Sequence, residues 1–220
     1  MKKPNLTLYL VTDDKYFHDR DLISTIEAAI RGGITALQYR FKNKSARQMY
    51  EELLVLRELT KRYAVDLVVN DRIDIALAVG ADGVHVGQED LPPDVVRKLV
   101  GESMYIGYSV NAVERLREVD HLPIDYIGFG SVYETTTKER CKLVGLDGLR
   151  QAVKLTDKPI VAIGGITHYR VHEVLQAGAR GVAVVSAILA FEDVEKATRS
   201  LMESMSGYYR KVMHEGTASS

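Results

Sequence analysis

Short apolar runs alternate with amphipathic segments along nearly the whole chain. The apolar runs are rich in Val, Ile and Leu, which is typical of strands that are buried on both faces. The segments between them repeat apolar residues at helical spacing, as Leu22, Ile26 and Ile30 do before Gly33. Regular alternation of strand and helix favours a parallel sheet covered by helices.

The spacing predicts eight strand-then-helix units. The predicted strands are residues 8–11, 36–40, 66–70, 83–87, 104–109 and 126–130, and the apolar runs within 159–167 and 181–187. A closing helix is predicted from residue 194 to about residue 213. Eight units in one chain favour a closed (β/α)8 TIM barrel over an open doubly wound sheet. We therefore expect an α/β protein with a single domain over residues 1–214 and a frayed tail over residues 215–220.

Length and charge restrict the function. A chain of 220 residues has the size of one such barrel. Its net charge of −1, from 29 basic and 30 acidic residues, gives no general attraction for nucleic acid or anionic membranes, but it allows local sites for small anions. The single cysteine, Cys141, and the absence of a signal-peptide pattern lead us to expect a cytoplasmic protein. A homo-oligomer is compatible with the sequence.

The last two predicted strands each end in small residues. In such barrels the loops after strands seven and eight commonly hold a phosphate, because glycine amides and a helix N-terminus supply donors. We expect Gly165, Val185 and Ser186 to bind a phosphate group. The alternative is that Gly164 and Gly165 form only a tight turn and that Ser186 only caps a helix.

Three polar side chains follow the second predicted strand. Gln38, Arg40 and Lys42 occupy alternate positions, so all three should point to the same side, into the mouth of the barrel. Alternatively, they are ordinary solvated charges at a strand end.

Carboxylates follow the third and fourth predicted strands. Because parallel strands end at one rim, Asp71 and Asp90 should lie close enough to share Mg²⁺, which typically uses one or two carboxylates and phosphate oxygens. Alternatively, both are helix N-caps.

Other polar residues fall at the same predicted rim. Asn70 and Ser109 end strands three and five, and residues 135–138 provide three Thr hydroxyls and Lys138. We expect this loop to act as a lid or anion clamp, although such a segment is often only a turn. His85 lies within a strand and is expected to be a hydrogen-bonded core or supporting residue, while Cys141 is given no role. Two separate anion sites imply two phosphorylated substrates.

Six short motifs in this order resemble the thiamine-phosphate synthase family over nearly the whole chain. They are QYRFK at 38–42, ND at 70–71, GVHVGQED at 83–90, TTTK at 135–138, IGG at 163–165 and VS at 185–186. The resemblance implies an enzyme that transfers the 4-amino-2-methyl-5-pyrimidinylmethyl group from its diphosphate to the nitrogen of 4-methyl-5-(2-phosphoethyl)thiazole. Pyrophosphate is the leaving group.

The resemblance also implies roles for individual residues. The pyrimidine diphosphate would be bound by Gln38, Arg40, Lys42, Asn70, Ser109 and Lys138. The thiazole phosphate would be bound by Thr135, Thr137, Gly165, Val185 and Ser186. Asp71 and Asp90 would hold the cofactor Mg²⁺, and Arg40, Lys42 and Lys138 would stabilise the leaving group.

Two positions depart from the family pattern. Phe41 stands where the family usually has Glu, and its parity points away from the mouth, so we expect a packing or interface role. Asn111 stands where the related thiazole tautomerases carry a proton-transferring His, which favours the synthase over the tautomerase. The remaining alternatives are a non-catalytic barrel that binds a thiamine precursor, and another phosphate-binding barrel enzyme.

Overall fold

A closed eight-stranded parallel barrel forms the centre of the molecule. The computed structural model describes residues 3–135 and 142–217, with side chains up to residue 209. The strands are β1 Leu8–Val11, β2 Ala36–Tyr39, β3 Asp66–Asn70, β4 Gly83–Val86, β5 Tyr105–Val110, β6 Tyr126–Phe129, β7 Ile160–Ile163 and β8 Gly181–Val184. They are hydrogen-bonded in chain order, and β8 closes onto β1. The predicted (β/α)8 barrel is confirmed.

Helices cover the outside of the barrel. They are α1 Leu22–Gly32, α2 Ala46–Arg62, α3 Ile73–Val79, α4 Pro93–Val100, α5 Leu116–Val119, α6 Gly145–Leu155, α7 Val171–Gln176, α8 Ser186–Leu189 and α9 Val194–Thr217. Among the described residues, none of these helices combines the length and apolarity needed to cross a membrane.

Some boundaries differ from the sequence prediction. The predicted helix over 112–119 is a 3-10 turn at Val113–Arg115 followed by the short α5. The short helix α8 directly after β8 was predicted only within the alternative that Ser186 caps a helix. The last helix extends to Thr217, beyond its predicted end near residue 213. The domain limit at residue 214 stays a prediction.

Inside the barrel, large rings alternate with glycines. A Cβ atom at Gly83 would overlap the ring of Tyr105, and one at Gly107 would overlap the ring of Tyr126. A Cβ at Gly128 would come within 3.0 Å of His85 Cε1. These glycines therefore leave the space that the neighbouring rings occupy.

Ion pairs tie the amino ends of the strands to the outer helices. Arg57 of α2 binds Asp82 at 2.6 Å, and the same carboxylate accepts the backbone N–H of Leu67 at 2.8 Å. Arg97 of α4 and Asp125 repeat this arrangement one segment further on. Because each carboxylate binds both a guanidinium and a strand amide, it ties an outer helix to a strand at the amino end of the barrel.

Candidate active site

Two acidic side chains meet at the carboxyl ends of β3 and β4. The side chains of Asp71 and Asp90 lie close enough for each to affect the other's charge. The pKa of Asp71 rises to about 6, first because the carboxyl is partly buried and then because Asp90 carries a like charge. Lys42 and Arg40 act in the opposite direction, lowering the pKa. The structure thus brings both predicted carboxylates together, close to two of the three predicted cations.

Neither carboxylate caps a helix. The residue that precedes α3 is Arg72 and the one that precedes α4 is Pro92, and neither helix has a side-chain cap. Asp90 instead accepts the backbone N–H of Gly87 at 2.7 Å, within its own loop. The capping alternative for Asp71 and Asp90 is therefore wrong.

The backbone at Asp71 has an uncommon conformation that directs its side chain. Its φ of +60° lies in the left-handed region, which non-glycine residues seldom adopt. The turn is held by a hydrogen bond from Asp71 N to His85 O at 2.9 Å and by one from Ile73 N to Asp71 O at 3.1 Å. This fixed turn places the carboxylate beside that of Asp90.

The residues after β1 support the cations after β2. Arg40 Nη1 lies 3.3 Å from Asp13 Oδ2, and the backbone N–H of Arg40 donates to Thr12 Oγ1 at 2.7 Å. The backbone N–H of Lys42 donates to Asp14 Oδ2 at 3.0 Å, while the Lys42 side chain is exposed. The sequence interpretation missed these roles of Asp13 and Asp14, although two carboxylates directly after a predicted strand were a usable signal.

Gln38 points into the barrel rather than across its mouth. Its side chain is 5% exposed, and its Nε2 donates to the Tyr9 hydroxyl at 2.9 Å. Arg40 is half-buried at the rim and Lys42 is exposed. The exposure of the three side chains thus increases from Gln38 to Lys42, as expected for alternate residues that run from the barrel interior to its rim.

Glycines shape the rim at the end of β7. Gly164 and Gly165 have φ values of +101° and +61°. A Cβ at Gly165 would overlap Glu134 O and lie 2.8 Å from Tyr133 Cβ, so a larger residue would push away the loop after β6. Tyr133 N also donates to Gly164 O at 3.0 Å. The pair of glycines therefore holds the β6 loop against the β7 loop, which is more than a tight turn needs.

The rim at the end of β8 continues into a helix. Val185 occupies the cap position of α8 and Ser186 is its first helical residue, with no side-chain cap. The alternative in which Ser186 only caps the helix is therefore wrong. Ser186 is exposed and belongs to a first helical turn, where backbone N–H groups lack partners within the helix.

The remaining predicted residues divide between the rim and the part of the chain that is not described. Asn70 ends β3 and Ser109 lies near the end of β5, both half-buried. Thr135 is half-buried in the loop after β6. Thr137 and Lys138, like Cys141, lie outside the described residues.

The sequence also matches a family of known proteins. Residues 8–188 match the family model described as thiamine monophosphate synthase. The chain belongs to the thiamine monophosphate synthase family.

Individual members of this family are similar over nearly their full length. The chain is 61% identical to thiamine-phosphate synthase 1 of Aquifex aeolicus, over 96% of this chain and 99% of that protein. It is 63% identical to thiamine-phosphate synthase of Hydrogenobaculum sp., over 88% and 90% of the two chains. Thiamine phosphate pyrophosphorylase from Pyrococcus furiosus has a similar structure, with a TM-score of 0.86 at 40% identity over 92% and 96% of the chains.

The departure at Phe41 is a packing feature in this member of the family. Phe41 is 6% exposed, with its ring centroid 4.7 Å from that of Tyr39 and 5.5 Å from that of Phe17. The ammonium group of Lys44 lies 3.8 Å from the Phe41 centroid. The expected packing role is confirmed. Asn111 is exposed and accepts a hydrogen bond from Gln88 Nε2 at 3.3 Å.

The donor chemistry of this rim fits a magnesium ion. Two facing carboxylates create a negative potential that a hard cation relieves, and Mg²⁺ typically takes one or two carboxylates while water and phosphate oxygens complete its shell. No group of three or more His, Cys, Asp or Glu side chains forms a metal site in the described segments. Asp71 and Asp90 are therefore the residues that could hold Mg²⁺ together with a phosphorylated ligand.

Proposed function

We propose that the protein is a thiamine-phosphate synthase that transfers the 4-amino-2-methyl-5-pyrimidinylmethyl group from its diphosphate to the nitrogen of 4-methyl-5-(2-phosphoethyl)thiazole. The products are thiamine phosphate and pyrophosphate. Family membership supports this proposal, and one structural observation carries it: the paired carboxylates of Asp71 and Asp90 lie beside Arg40 and Lys42 on a rim shared with the Gly165 turn.

The proposed reaction needs charge stabilisation more than proton transfer. The bond between the methylene carbon and the diphosphate oxygen breaks, and its electron pair leaves with pyrophosphate. The aminopyrimidine ring donates electrons to the methylene carbon, and the lone pair of the thiazole nitrogen forms the new C–N bond. No proton has to be removed from either reacting atom, so no general base is required.

Each group of residues has a role in this reaction. Bound Mg²⁺ would neutralise charge on the diphosphate. Arg40 and Lys42, with Lys138, bind the diphosphate and stabilise the negative charge that develops as it leaves. The pyrimidine contacts Gln38, Asn70 and Ser109. The thiazole phosphate is bound by Thr135, Thr137, Gly165, Val185 and Ser186. Binding both substrates on one rim supplies the orientation that the bimolecular step needs.

The test is a direct assay for thiamine phosphate with both substrates and Mg²⁺. We expect product from the unmodified protein, and none after Mg²⁺ is removed with a chelator. Asp90→Asn should lose most of this activity, whereas Asp94→Asn, an exposed carboxylate on α4, should retain it. Product formation that persists in the chelator would contradict the magnesium role. Isomerisation of the thiazole without a pyrimidine substrate would favour a tautomerase, and binding without turnover would favour a non-catalytic binding protein.

A further inference from the structure

A continuous series of hydrogen bonds crosses the interior of the barrel. It begins at Gln38 Nε2, which is 2.9 Å from the hydroxyl of Tyr9, and continues through the 3.0 Å contact between the Tyr9 and Tyr126 hydroxyls. The Tyr126 hydroxyl is 2.9 Å from His85 Nδ1, and His85 Nε2 is 2.8 Å from Ser109 Oγ. The series thus links β2 to β5 through strands β1, β6 and β4.

The interior of the barrel is built around these rings. Tyr9 and Tyr126 are 1% and 0% exposed. Leaving either buried hydroxyl without a hydrogen-bond partner would therefore cost stability. Gly107 and Gly128 leave the space that the rings of Tyr126 and His85 occupy. Burial raises the pKa of both tyrosines well above the usual value, so each keeps its hydroxyl hydrogen.

Counting hydrogens gives the series a direction. Gln38 Nε2 donates to Tyr9, so the single hydrogen of Tyr9 is left for Tyr126, and that of Tyr126 for His85 Nδ1. His85 Nδ1 is then an acceptor, and Nε2 carries the hydrogen that is donated to Ser109 Oγ. Ser109 receives a hydrogen bond from inside the barrel, and its own hydroxyl hydrogen is left to donate toward the mouth.

We propose that Tyr9, Tyr126 and His85 are positioning residues that fix the hydrogen-bonding polarity of Gln38 and Ser109. They hold the Gln38 carbonyl oxygen as an acceptor and the Ser109 hydroxyl as a donor. This inference rests on the proposed function, in which those two side chains contact the pyrimidine. An aminopyrimidine offers the complementary groups, an amino donor and ring-nitrogen acceptors. A heterocycle without the amino group would leave the Gln38 oxygen unpaired.

The polarity can be measured without any assay of activity. In ¹⁵N NMR spectra of the substrate-free protein, assigned with the His85→Gln variant, we expect the Nε2–H tautomer of a neutral His85. The Tyr126→Phe variant cannot donate to Nδ1, so the spectrum of His85 should show a mixture of its two neutral tautomers. A dominant Nδ1–H tautomer in the unmodified protein would mean that the Gln38 amide is turned and that Ser109 donates inward, which overturns the proposal.

Tyr105 provides a matched control. It is a tyrosine of the same interior, 3% exposed, with its ring centroid 6.1 Å from that of Tyr126. Its buried hydroxyl has no hydrogen-bond partner within the described part of the chain. Tyr105→Phe therefore removes a buried hydroxyl without breaking the series, and it should leave kinetics and the His85 tautomer unchanged.

Kinetics distinguish positioning from general stabilisation. Tyr126→Phe should raise KM for the pyrimidine diphosphate about tenfold, in line with the loss of one well-oriented hydrogen bond, and should leave KM for the thiazole phosphate unchanged. If Tyr126→Phe does not fold, Tyr9→Phe removes the partner of Gln38 and leaves Tyr126 bonded to His85. It should raise the same KM while leaving the His85 tautomer unchanged.

Equal effects on both substrates, or no effect, would contradict the positioning role. If the unmodified protein made no thiamine phosphate, the proposed function would fail, while the His85 tautomer would still test the polarity.

Discussion

Replacing Asp71 by Asn should stabilise the metal-free protein at pH 8 and remove its response to Mg²⁺. The folded-state pKa of Asp71 is raised to about 6 by burial and by Asp90. The ionised carboxylate is therefore less favourable in the folded chain than in the unfolded one. Asn removes the charge, and it tolerates the left-handed backbone conformation at this position.

The size of the effect follows from the pKa. The pKa of Asp71 rises from 3.8 to about 6. At about 1.4 kcal/mol per tenfold change in proton affinity, the ionised carboxylate destabilises the folded protein by at most about 3 kcal/mol. Asp71 is only half-buried and solvent screens its charge, so we expect about 1 kcal/mol. For a chain of this length that is a rise in Tm of roughly 2–4 °C.

The pH dependence has a definite sign. Because the folded pKa is the higher one, the cost of the charge is fully present above about pH 6. It is mostly lost by about pH 4, where Asp71 is protonated in the folded state and partly protonated in the unfolded state. Asp71→Asn should therefore be more stable than the unmodified protein at pH 8, and should show only a small fraction of that gain at pH 4. Thermal unfolding in a chelator at the two pH values measures this difference, and adding Mg²⁺ should then raise Tm only in the unmodified protein.

Asp74 is the matched control for this experiment. It lies three positions further on, but its pKa is lowered by its hydrogen bond and ion pair with Arg72 at 2.6 Å. Asp74→Asn should therefore lose stability at pH 8, by at most about 0.5 kcal/mol, since the pair is exposed. A lower Tm for Asp71→Asn at pH 8, or an equal gain at pH 4, would refute the electrostatic reasoning.

Three further predictions concern the rim and its support. Gly165→Ala should lower the free energy of unfolding by more than about 2 kcal/mol and raise KM for the thiazole phosphate, because the added Cβ would meet Glu134 and Tyr133. Gly80→Ala has the same φ of +61° with open space around it, so denaturant unfolding should show only the backbone cost of about 1 kcal/mol; equal losses would argue against crowding at Gly165. Phe41→Ala should lower the free energy of unfolding by about 3 kcal/mol in the same assay, with both KM values unchanged, since the ring is buried against Tyr39 and Phe17. Added pyrophosphate should protect the protein from thermal unfolding only when Mg²⁺ is present; equal protection in a chelator would contradict joint binding.

The order of elements could be predicted because strand and helix periodicities differ clearly. The limits of β1 at Leu8–Val11 and of β3 at Asp66–Asn70 agree with the prediction. The short helices were harder to predict, because a single helical turn such as α8 is too short to show a hydrophobic period. The paired carboxylates followed from topology alone, since parallel strands end at one rim.

The interior hydrogen bonds could not be predicted from the same pattern. In a barrel covered by helices, both faces of each strand are buried, so alternation does not separate residues that point inward from those that point outward. Tyr9 and Tyr126 therefore resemble ordinary core residues in the sequence. The usable signal was glycine within strands, at Gly107 and Gly128, which marks places where a large neighbouring group needs space.

Closure of the sheet also places the first strand beside the last strand, and the first helix beside the last helix. Tyr9 of β1 is in register with Ala183 of β8, and Gly32 of α1 packs closely against Thr198 of α9. A circularly permuted gene, with the old termini joined by a flexible linker and new ones opened at the exposed turn near Gly101, would keep every strand pairing. The new termini would lie at the amino ends of the strands, on the opposite side of the barrel from the candidate active site. Changing the order in which the segments are translated should therefore leave the activity unchanged.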